Sequence, residues 1–283
     1  MPEPISFHAA SRHSDETLAV LFNRGYAGYY TPITLDATGF RVMVDANQVD
    51  PAASRIGALA GEPVAFAMLG IRGARGWIGG MGVVPEARGR GFGRAAMEAT
   101  LDAARAHGLQ SVDLEVLEQN LPAYRIYEAL GFRDRRWLEV LVRAPAPLPP
   151  GPGPTAEVVS LAVRDCLALH EALHPERSPW QRDRAALEYW ADRLAALGVR
   201  DASGIACGVL YRPIGAKLNI VDLALAAGRP RPWLEGTLRA LIGAHPESTL
   251  TLVNLPADDP VGDTLRTLGA TVRFRQREMT LAL

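Results

Sequence analysis

The sequence is poor in the features that mark secreted, membrane and disulfide-stabilised proteins. It has two cysteines, Cys166 and Cys207, far apart in apolar segments, so we predict buried, reduced thiols. No run of about 18 apolar residues occurs, which argues against a membrane span. Residues 1–10 have no basic stretch followed by an apolar one, so we expect no secretory signal and a cytoplasmic protein.

Net charge and metal ligands are also scarce. The formal net charge is −1. Because proteins that bind nucleic acid usually carry a strongly basic face, we expect no nucleic-acid partner. The six histidines are scattered without a metal-ligand spacing, so we predict no metal site. These shortages leave the class of ordinary globular proteins, and the length of 283 residues favours two domains over one.

A proline-rich segment divides the chain near its middle. Residues 144–154 read APAPLPPGPGP. Because proline lacks an amide hydrogen and fixes φ, this run fits neither a helix nor the interior of a sheet, and we expect an extended connector. We predict a first domain over 1–143, a linker over 144–154 and a second domain over 155–283.

The first half alternates between strand and helix patterns. Apolar runs bounded by turn residues predict strands, and apolar residues at helical spacing predict helices that end at glycines. The predicted strands cover 5–8, 55–59, 63–71, 77–84, 112–116 and 136–142, and the predicted helices follow Ser14 and cover 94–107 and 122–130.

The second half repeats the end of the first half at an offset of 138 residues. The segment LTLV at 250–253 matches VDLE at 112–115, and Pro260 matches Pro122 at the start of a helix. We interpret this match as a duplicated fold rather than as a chance alignment of short strand–helix–strand units.

Residues 88–93 read RGRGFG and lie between a predicted strand and a predicted helix. The glycines allow a tight turn, and the amides and positive dipole end of the helix favour an anion such as a pyrophosphate. A dinucleotide fingerprint needs G-x-G-x-x-G and a Walker A loop needs G-K-[ST], and neither is present. From this segment alone, a tight turn with surface arginines is the alternative.

Several motifs together resemble the GNAT superfamily of N-acetyltransferases. The R-x-x-G-x-G pattern at 88–93 resembles the acetyl-CoA loop of that family, and GVVPE at 82–86 resembles the strand and bulge before it. The pattern N-x-x-A-x-x-x-Y-x-x-x-G-F, which begins at Asn120, is complete. The resemblance covers 76–142 clearly and extends more loosely back to residue 5. It implies an α/β (α+β) protein with two GNAT-like domains, each a mixed, mostly antiparallel, splayed sheet flanked by helices.

The resemblance implies acetyl-CoA as co-substrate, bound in the first half. The pyrophosphate would lie on the loop at 88–93 and the pantetheine along the strand at 81–83, in a slot opened where that strand diverges from the one at 112–116. The residues that the resemblance assigns to acetyl-CoA are Met81, Gly82, Val83, Arg88, Gly89, Arg90, Gly91, Phe92, Gly93, Arg94 and Asn120.

The implied chemistry needs a base for the amine and an acid for the departing thiolate. Tyr127 matches the acid of the family, and the alternative is a core tyrosine of an amphipathic helix. Glu115 is the candidate base, because its spacing to Tyr127 resembles that of ribosomal-protein-alanine acetyltransferases. Alternation places it opposite Leu114 and Val116, either on the active face or in water. Glu118 and an ordered water are the other candidate bases.

Aromatic residues are candidates for the acceptor site. Tyr26, Tyr29 and Tyr30 follow the first predicted helix, where GNAT proteins bind acceptors, although three tyrosines at a turn could equally pack on the surface. Tyr124 lies one helical turn before the candidate acid and is expected to line the slot. Trp77 is predicted to pack in the core.

The second half lacks the corresponding chemistry. Residues 225–233 have one glycine and two prolines where the loop of the first half has three glycines, so we predict a structural role and no CoA chemistry there. At the 138-residue offset, the candidate base, the asparagine and the candidate acid become Val253, Asp258 and Leu265.

Near the C-terminus, alternating arginines predict a solvated edge strand that resists aggregation. They are Arg273, Arg275 and Arg277.

Together these features predict an N-acetyltransferase that acts on a primary amine. A small-molecule acceptor is preferred to a peptide or protein N-terminus, because a second domain could roof the acceptor channel. A CoA-binding or sensing module without turnover is the alternative of another class, and the presence of both Tyr127 and Glu115 argues against it.

Overall fold

The computed structural model describes residues 5–151, 155–174 and 176–283. They form two compact units, one made of the described residues up to Arg135 with Glu278–Leu283 and the other of Arg136–Arg277. The predicted division had its boundary in the proline-rich segment at 144–154, whereas these two boundaries lie within strands. Across these ranges, every helix is too short or too polar to cross a bilayer.

The first unit follows the predicted order of strands and helices, with one additional helix. That helix begins after Asp36, whose carboxylate accepts a hydrogen bond from the Gly39 amide at 2.7 Å. The elements are β1 (Ser6–Ala9), α1 (Asp15–Gly25), α2 (Ala37–Ala46), β2 (Arg55–Leu59), β3 (Glu62–Arg72), β4 (Arg75–Val83), α3 (Phe92–Ala106), β5 (Ser111–Leu117) and α4 (Leu121–Ala129).

Strand β3 lies at the centre of the first sheet, whose order is β1-β2-β3-β4-β5. Its residues Ala65 and Leu69 pack with α3 and α4, while Phe66 and Met68 pack with α1 and α2. Because helices cover both faces, the run at 64–69 is apolar without interruption. The neighbours pair antiparallel except for β4 and β5, which are parallel.

Strands β4 and β5 diverge after three residue pairs, the last of which is Trp77 with Asp113. The rest of β4 stays paired with β3, with a register shift between Ile78 and Gly80 that leaves Gly79 as a bulge. The splayed sheet that the resemblance implied is therefore confirmed in the first unit.

The second unit has the same architecture. Its sheet order is β12-β6-β11-β10-β9-β8-β7, with β10 and β11 parallel. Both cysteines lie buried and unpaired in this unit, as predicted. The elements are β6 (Arg133–Arg143), β7 (Val159–Ser160), α5 (Val163–Leu173), α6 (Arg184–Trp190), β8 (Ala195–Asp201), β9 (Gly204–Ile214), β10 (Lys217–Leu225), α7 (Arg231–Ala244), β11 (Thr249–Pro256), α8 (Val261–Thr267) and β12 (Thr271–Ala282).

The bounds of the elements preserve the repeat seen in the sequence. Strands β5 and β11 begin at Ser111 and Thr249, and β6 and β12 begin at Arg133 and Thr271, 138 residues apart in each case. The bulge also recurs, because the register of β10 against β9 shifts between Ile220 and Asp222. The order of strands and helices is thus duplicated.

The alternating arginines of β12 do not form the predicted solvated edge. The guanidinium groups of Arg275 and Arg277 lie 4.6 and 4.1 Å from the ring centroid of Trp137. Arg275 also approaches Glu139 at 3.7 Å. Because β12 lies beside β6, these side chains find an aromatic and an acidic partner there and stack rather than extend into water.

The first unit is closed by the C-terminal end of the chain. Met279 is 1% exposed and lies in the same apolar cluster as residues of α3 and α4. Glu278 is buried there too, with Arg135 at 3.1 Å. The sequence predicted the strand at 136–142 as the closing strand, but these residues pair with β11 in the second unit. Local patterning identified the strand but could not identify its partner.

We therefore expect Met279→Ala to destabilise the first unit. The loss of buried contacts and the resulting cavity should lower the free energy of unfolding by about 2–5 kcal/mol. Val272→Ala on the same strand, where the side chain is 40% exposed, is the control and should cost less than about 1 kcal/mol. Urea unfolding measures both, and equal effects would contradict the proposed packing.

Candidate functional site

The loop between β4 and α3 has the backbone that the sequence predicts. Gly89 and Gly91 have φ of +74° and +81°, and Gly91 immediately precedes α3. A Cβ atom at either position would meet no atom within 4 Å. The glycines are therefore needed for the backbone conformation, and the space in front of the first turn of α3 is open. The first amides of this 15-residue helix can bind an anion there.

Arg88 ties this loop to the end of α1. Its Nε donates to the carbonyl of Val83 at 3.0 Å. Its Nη2 donates to the carbonyls of Gly25 and Ala27 at 3.0 and 2.9 Å. The side chain keeps its charge beside the loop, but its hydrogen bonds hold α1 against β4. Sequence patterning contains no signal for these partners.

The other two arginines of the loop are less constrained. The Arg90 guanidinium lies 4.7 Å from the centroid of the Phe92 ring. Arg94 is exposed and pairs with Glu98 one turn along α3 at 2.8 Å. Both therefore contribute positive charge near the open loop. Arg94 pairs with a carboxylate, whereas Arg90 contacts an aromatic ring.

Helix α1 approaches β4 closely where the strand is free of β5. A Cβ on Gly82 would lie 3.2 Å from the Cα of Gly25. On the other face, a Cβ on Gly93 would lie 3.3 Å from the sulfur of Met81 and 3.6 Å from Val83. The residues of β4 predicted to bind the pantetheine therefore contact the start of α3, which follows the glycine loop.

Two of the predicted acceptor tyrosines lie at the same place. The phenol of Tyr26 lies beside the backbone of Met81, and the phenol of Tyr29 lies beside the side chain of Asn120. The rings of Tyr26 and Tyr29 lie edge to face, with centroids 5.0 Å apart. Burial raises the pKa of both phenols, so both are neutral near pH 7. Asn120 also caps α4 by accepting from the Ala123 amide at 3.4 Å.

The segment that carries these tyrosines is fixed by hydrogen bonds. The Asn23 side chain bonds the backbone of Leu35 in both directions, at 2.8 and 2.9 Å. The hydroxyl of Tyr30 donates to the carbonyl of Gln119 at 3.1 Å, although its side chain is half exposed. These contacts close the loop between α1 and α2 onto the start of α4. Sequence patterning does not reveal such long-range pairs.

Tyr127 is 7% exposed and belongs to the apolar cluster of α3 and α4. Burial, followed by the nearby Tyr26 and Tyr29, raises its pKa above the ordinary value, so the phenol keeps its proton. Within the described ranges no protein group hydrogen-bonds the phenol oxygen, which leaves its proton available to a ligand. Tyr124 lies beside the same cluster, partly buried.

Glu115 lies on the opposite face of β5 from Leu114 and Val116, which pack in the cluster of Tyr127. It is half-buried, and its Oε2 accepts a hydrogen bond from Nε1 of Trp77 at 2.7 Å. Trp77 is itself buried, as predicted. Glu115 is therefore held at the point where β4 and β5 separate and is not simply a solvated strand residue. Glu118 is exposed.

The corresponding place in the second unit differs as the sequence indicates. Pro230 precedes α7 and Pro232 lies in its first turn, so this helix begins with fewer amide donors and follows fewer glycines than α3. Leu265 is fully buried, and Val253 is 43% exposed. These residues have no acid or base function.

The second unit contains a polar cluster that the sequence analysis does not predict. Ligand atoms of His170, His174 and Asp222 all lie within 4.8 Å of one another. The sequence interpretation that the histidines lack a ligand spacing is therefore wrong, because His170 in the last turn of α5 and His174 at its C-cap stand four residues apart and both contact Asp222. That spacing was the available signal, and Asp222 could not be assigned to it from sequence.

Comparison with known proteins finds a family match over the part of the chain that contains this site. Residues 24–132 match the family described as Acetyltransferase (GNAT) family. The mycothiol acetyltransferase of Thermobispora bispora is 42% identical over 102 residues, which is 33% of this chain and 34% of that protein. The mycothiol acetyltransferase of Clavibacter michiganensis is 40% identical over 74 residues, 26% of this chain and 24% of that protein. The similarity thus spans about a third of the first relative and about a quarter of the second.

Solved structures show the same fold over the whole chain. A GCN5-related N-acetyltransferase from Sphaerobacter thermophilus has a TM-score of 0.74 at 17% identity and covers 100% of this chain and 96% of its own. A tandem GNAT protein from the clavulanic acid biosynthesis pathway has a TM-score of 0.68 at 16% identity, covering 99% and 98%. At this identity the likeness concerns the fold alone. It agrees with two GNAT-type units in one chain.

Proposed function

Because residues 24–132 match the GNAT acetyltransferase family, we propose that this chain is an N-acetyltransferase that transfers an acetyl group from acetyl-CoA to a primary amine. The observation that carries the proposal is the opening between β4 and β5, which ends at the glycine loop before α3. We assign the activity to the first unit and no CoA chemistry to the second unit.

The donor fits the residues present. The open amides after Gly89 and Gly91, with Arg90 and Arg94 beside them, suit the pyrophosphate of acetyl-CoA. The edge of β4 that β5 leaves unpaired offers backbone groups to the amides of the pantetheine arm. The acyl end of the molecule would then lie near Tyr127 and Asn120.

The reaction requires that the amine nitrogen attack the acetyl carbonyl carbon while the carbon–sulfur bond breaks. Glu115, directly or through water, accepts the proton that the amine loses. Tyr127 gives its proton to the thiolate that leaves, so the products are an acetylated amine and CoA in its thiol form. A phenol that stays protonated near pH 7 suits this role, because the proton is present until the thiolate forms.

The acceptor is proposed to be a small molecule rather than a peptide or protein N-terminus. Tyr26, Tyr29 and Tyr30 line a segment held closed by side-chain hydrogen bonds, which favours a compact acceptor over an extended chain. The partial relatives are mycothiol acetyltransferases, and a small-molecule thiol in their name supports the same class of acceptor. Aromatic side chains with polar tips can bind both the apolar and the polar parts of such a molecule.

A charge placed on the loop tests the donor site. Gly89→Glu introduces a carboxylate where the pyrophosphate would bind, so the Kd for acetyl-CoA should rise about tenfold or more. Gly61→Glu is the matched control, because Gly61 has φ +84° and equally open surroundings in the β2–β3 turn. Calorimetry should give one acetyl-CoA per chain. Equal binding by both variants would exclude this loop, and no binding by the unmodified protein would exclude the function.

The role of Tyr127 is tested by Tyr127→Phe. The loss of the acid should lower kcat about 100-fold while acetyl-CoA still binds. Because the pKa of Tyr127 is raised, the unmodified enzyme should show no decline from its ionisation below about pH 10. The exposed Tyr189 supplies the control Tyr189→Phe. Unchanged turnover in Tyr127→Phe would refute the acid role, and a protein that binds acetyl-CoA but acetylates none of a panel of amines would be a binding module.

The base is tested by comparing Glu115→Gln with Glu118→Gln. Glutamine at 115 can still accept from Trp77 but cannot take a proton, so kcat/KM should fall about 100-fold, with the greatest effect below the pKa of the amine. Glu118→Gln should be unchanged. The opposite pattern would assign the base to Glu118, and two active variants would assign it to water.

A further inference from the structure

The second unit contains a cavity where its own strands separate. The cavity has a volume of about 440 Å³, within the range of small-molecule sites. It lies at the C-terminal end of β10, beside the starts of α7 and α8 and the end of α5. Leu173 and Leu225, both half-buried, line part of its wall, and arginines line another part. The proposed function does not involve this cavity.

The cavity lies at a position of the second unit that corresponds to the end of α1 and the bulge of β4 in the first unit. Helices α1 and α5 begin at Asp15 and Val163, an offset of 148 residues, which aligns Phe22 with His170 and Tyr26 with His174. In the first unit, a Cβ on Gly80, beside the bulge, would lie 3.0 Å from Phe22 and 3.2 Å from the hydroxyl of Tyr26. An aromatic pair over a glycine in one unit thus corresponds to a histidine pair in the other.

In the second unit the residue beside the bulge is Asp222, in the place of Gly80. Nδ1 of His170 lies 3.2 Å from Oδ2 of Asp222, and Nε2 of His174 lies 3.0 Å from Oδ1. Burial disfavours ionisation, but the hydrogen bonds from both histidines and the charges of His174 and Arg182 outweigh it and hold the pKa of Asp222 far below its ordinary value. The carboxylate is therefore ionised and has its partners in place.

Arg182 is the group that this carboxylate positions. Its side chain is 5% exposed, and Nη2 lies 3.3 Å from Oδ1 of Asp222. Among the residues that the structure describes, none hydrogen-bonds the other terminal nitrogen, Nη1, which is buried, and Arg182 lies on the cavity wall. A buried guanidinium nitrogen without a partner is costly, so a ligand that accepts from it would be strongly favoured.

The surrounding charges favour an anion over a metal ion. A divalent cation bound by His170, His174 and Asp222 would lie close to the guanidinium that contacts the same carboxylate, and buried like charges repel. Arg136, Arg229 and Arg231 also line the cavity. The acidic residues of the wall, Glu176, Asp258 and Asp259, are exposed or half-buried and so are better solvated.

The walls also favour a carboxylate over a phosphate. Phosphate sites rely on several backbone amides, whereas Pro179, Pro256 and Pro260 line this cavity and supply none. We propose that the cavity binds a small organic acid by its carboxylate, with Nη1 of Arg182 as the donor and the leucine side chains against its carbon chain. This site is separate from the proposed acetyl-CoA site.

Hexanoate is a suitable probe, and hexanamide is its neutral control. Titration of the full chain, followed by NMR of the ligand, should show hexanoate binding at least about tenfold more tightly than hexanamide. Arg182→Lys keeps a cation beside Asp222 but removes the second donor, and should weaken hexanoate binding about tenfold. The exposed Arg184 supplies the matched control Arg184→Lys. Ala226→Phe should fill the rim of the cavity and block binding without changing the cluster.

The remaining outcomes would overturn the proposal. Equal binding of hexanoate and hexanamide, or binding that Arg182→Lys and Ala226→Phe both leave unchanged, would exclude an arginine-anchored carboxylate. Micromolar Zn²⁺ binding that His174→Ala removes, with no hexanoate binding, would make the cluster a metal site. A second acetyl-CoA per chain, lost in Arg182→Lys, would make the ligand a phosphate ester. If Arg182→Lys unfolds on a thermal melt, Ala226→Phe decides the outcome.

Discussion

The candidate site depends on the point at which β4 leaves β5. Up to Trp77 and Asp113 the strands share backbone hydrogen bonds, and beyond that pair β4 is held by β3 alone. Backbone groups without a strand partner need another acceptor or donor, and an extended ligand with amides can supply both. The same divergence gives Glu115 and the loop before α3 access to one space. Without it the sheet would be closed and the glycine loop would have no slot beside it.

Hydrogen bonds between residues far apart in the sequence hold the elements around that opening in position. Arg88 joins β4 to the end of α1 through three carbonyls, and Asn23 closes the tyrosine segment through the backbone of Leu35. Charge-assisted bonds to carbonyls are stronger than neutral ones and hold the two elements in a fixed register. Arg88 therefore supports the site as much through geometry as through charge, and its replacement would disturb both.

The two units share one backbone arrangement but have different side chains at the point where their parallel strands separate. Both units have parallel strands that separate, a bulge beside the separation and a helix after the loop. The first unit has glycines and tyrosines at these positions, whereas the second has prolines and a cluster of His170, His174, Asp222 and Arg182. Burying such a cluster is costly unless each charge is compensated. Its presence in the second unit is difficult to reconcile with a purely structural role.

The sequence by itself determined the features that depend on local backbone requirements. Gly89 and Gly91 can take a positive φ at low cost, and the N-x-x-A-x-x-x-Y-x-x-x-G-F motif fixes the start, face and end of α4. The 138-residue repeat appears in the sequence and recurs in the first residues of the corresponding strands. These signals are written in neighbouring residues, so they can be read before any folding partner is known.

Only the tertiary structure decided which distant segments meet. Strand 136–142 was recognisable, but its pairing with β11, and the closing of the first unit by Met279, depend on packing between segments far apart in the chain. The same holds for Arg182 and Asp222, which lie 40 residues apart and are joined by a bulge and a helix face. Periodicity defines the face that a residue presents, whereas the partner on that face is selected by the free energy of burying both together.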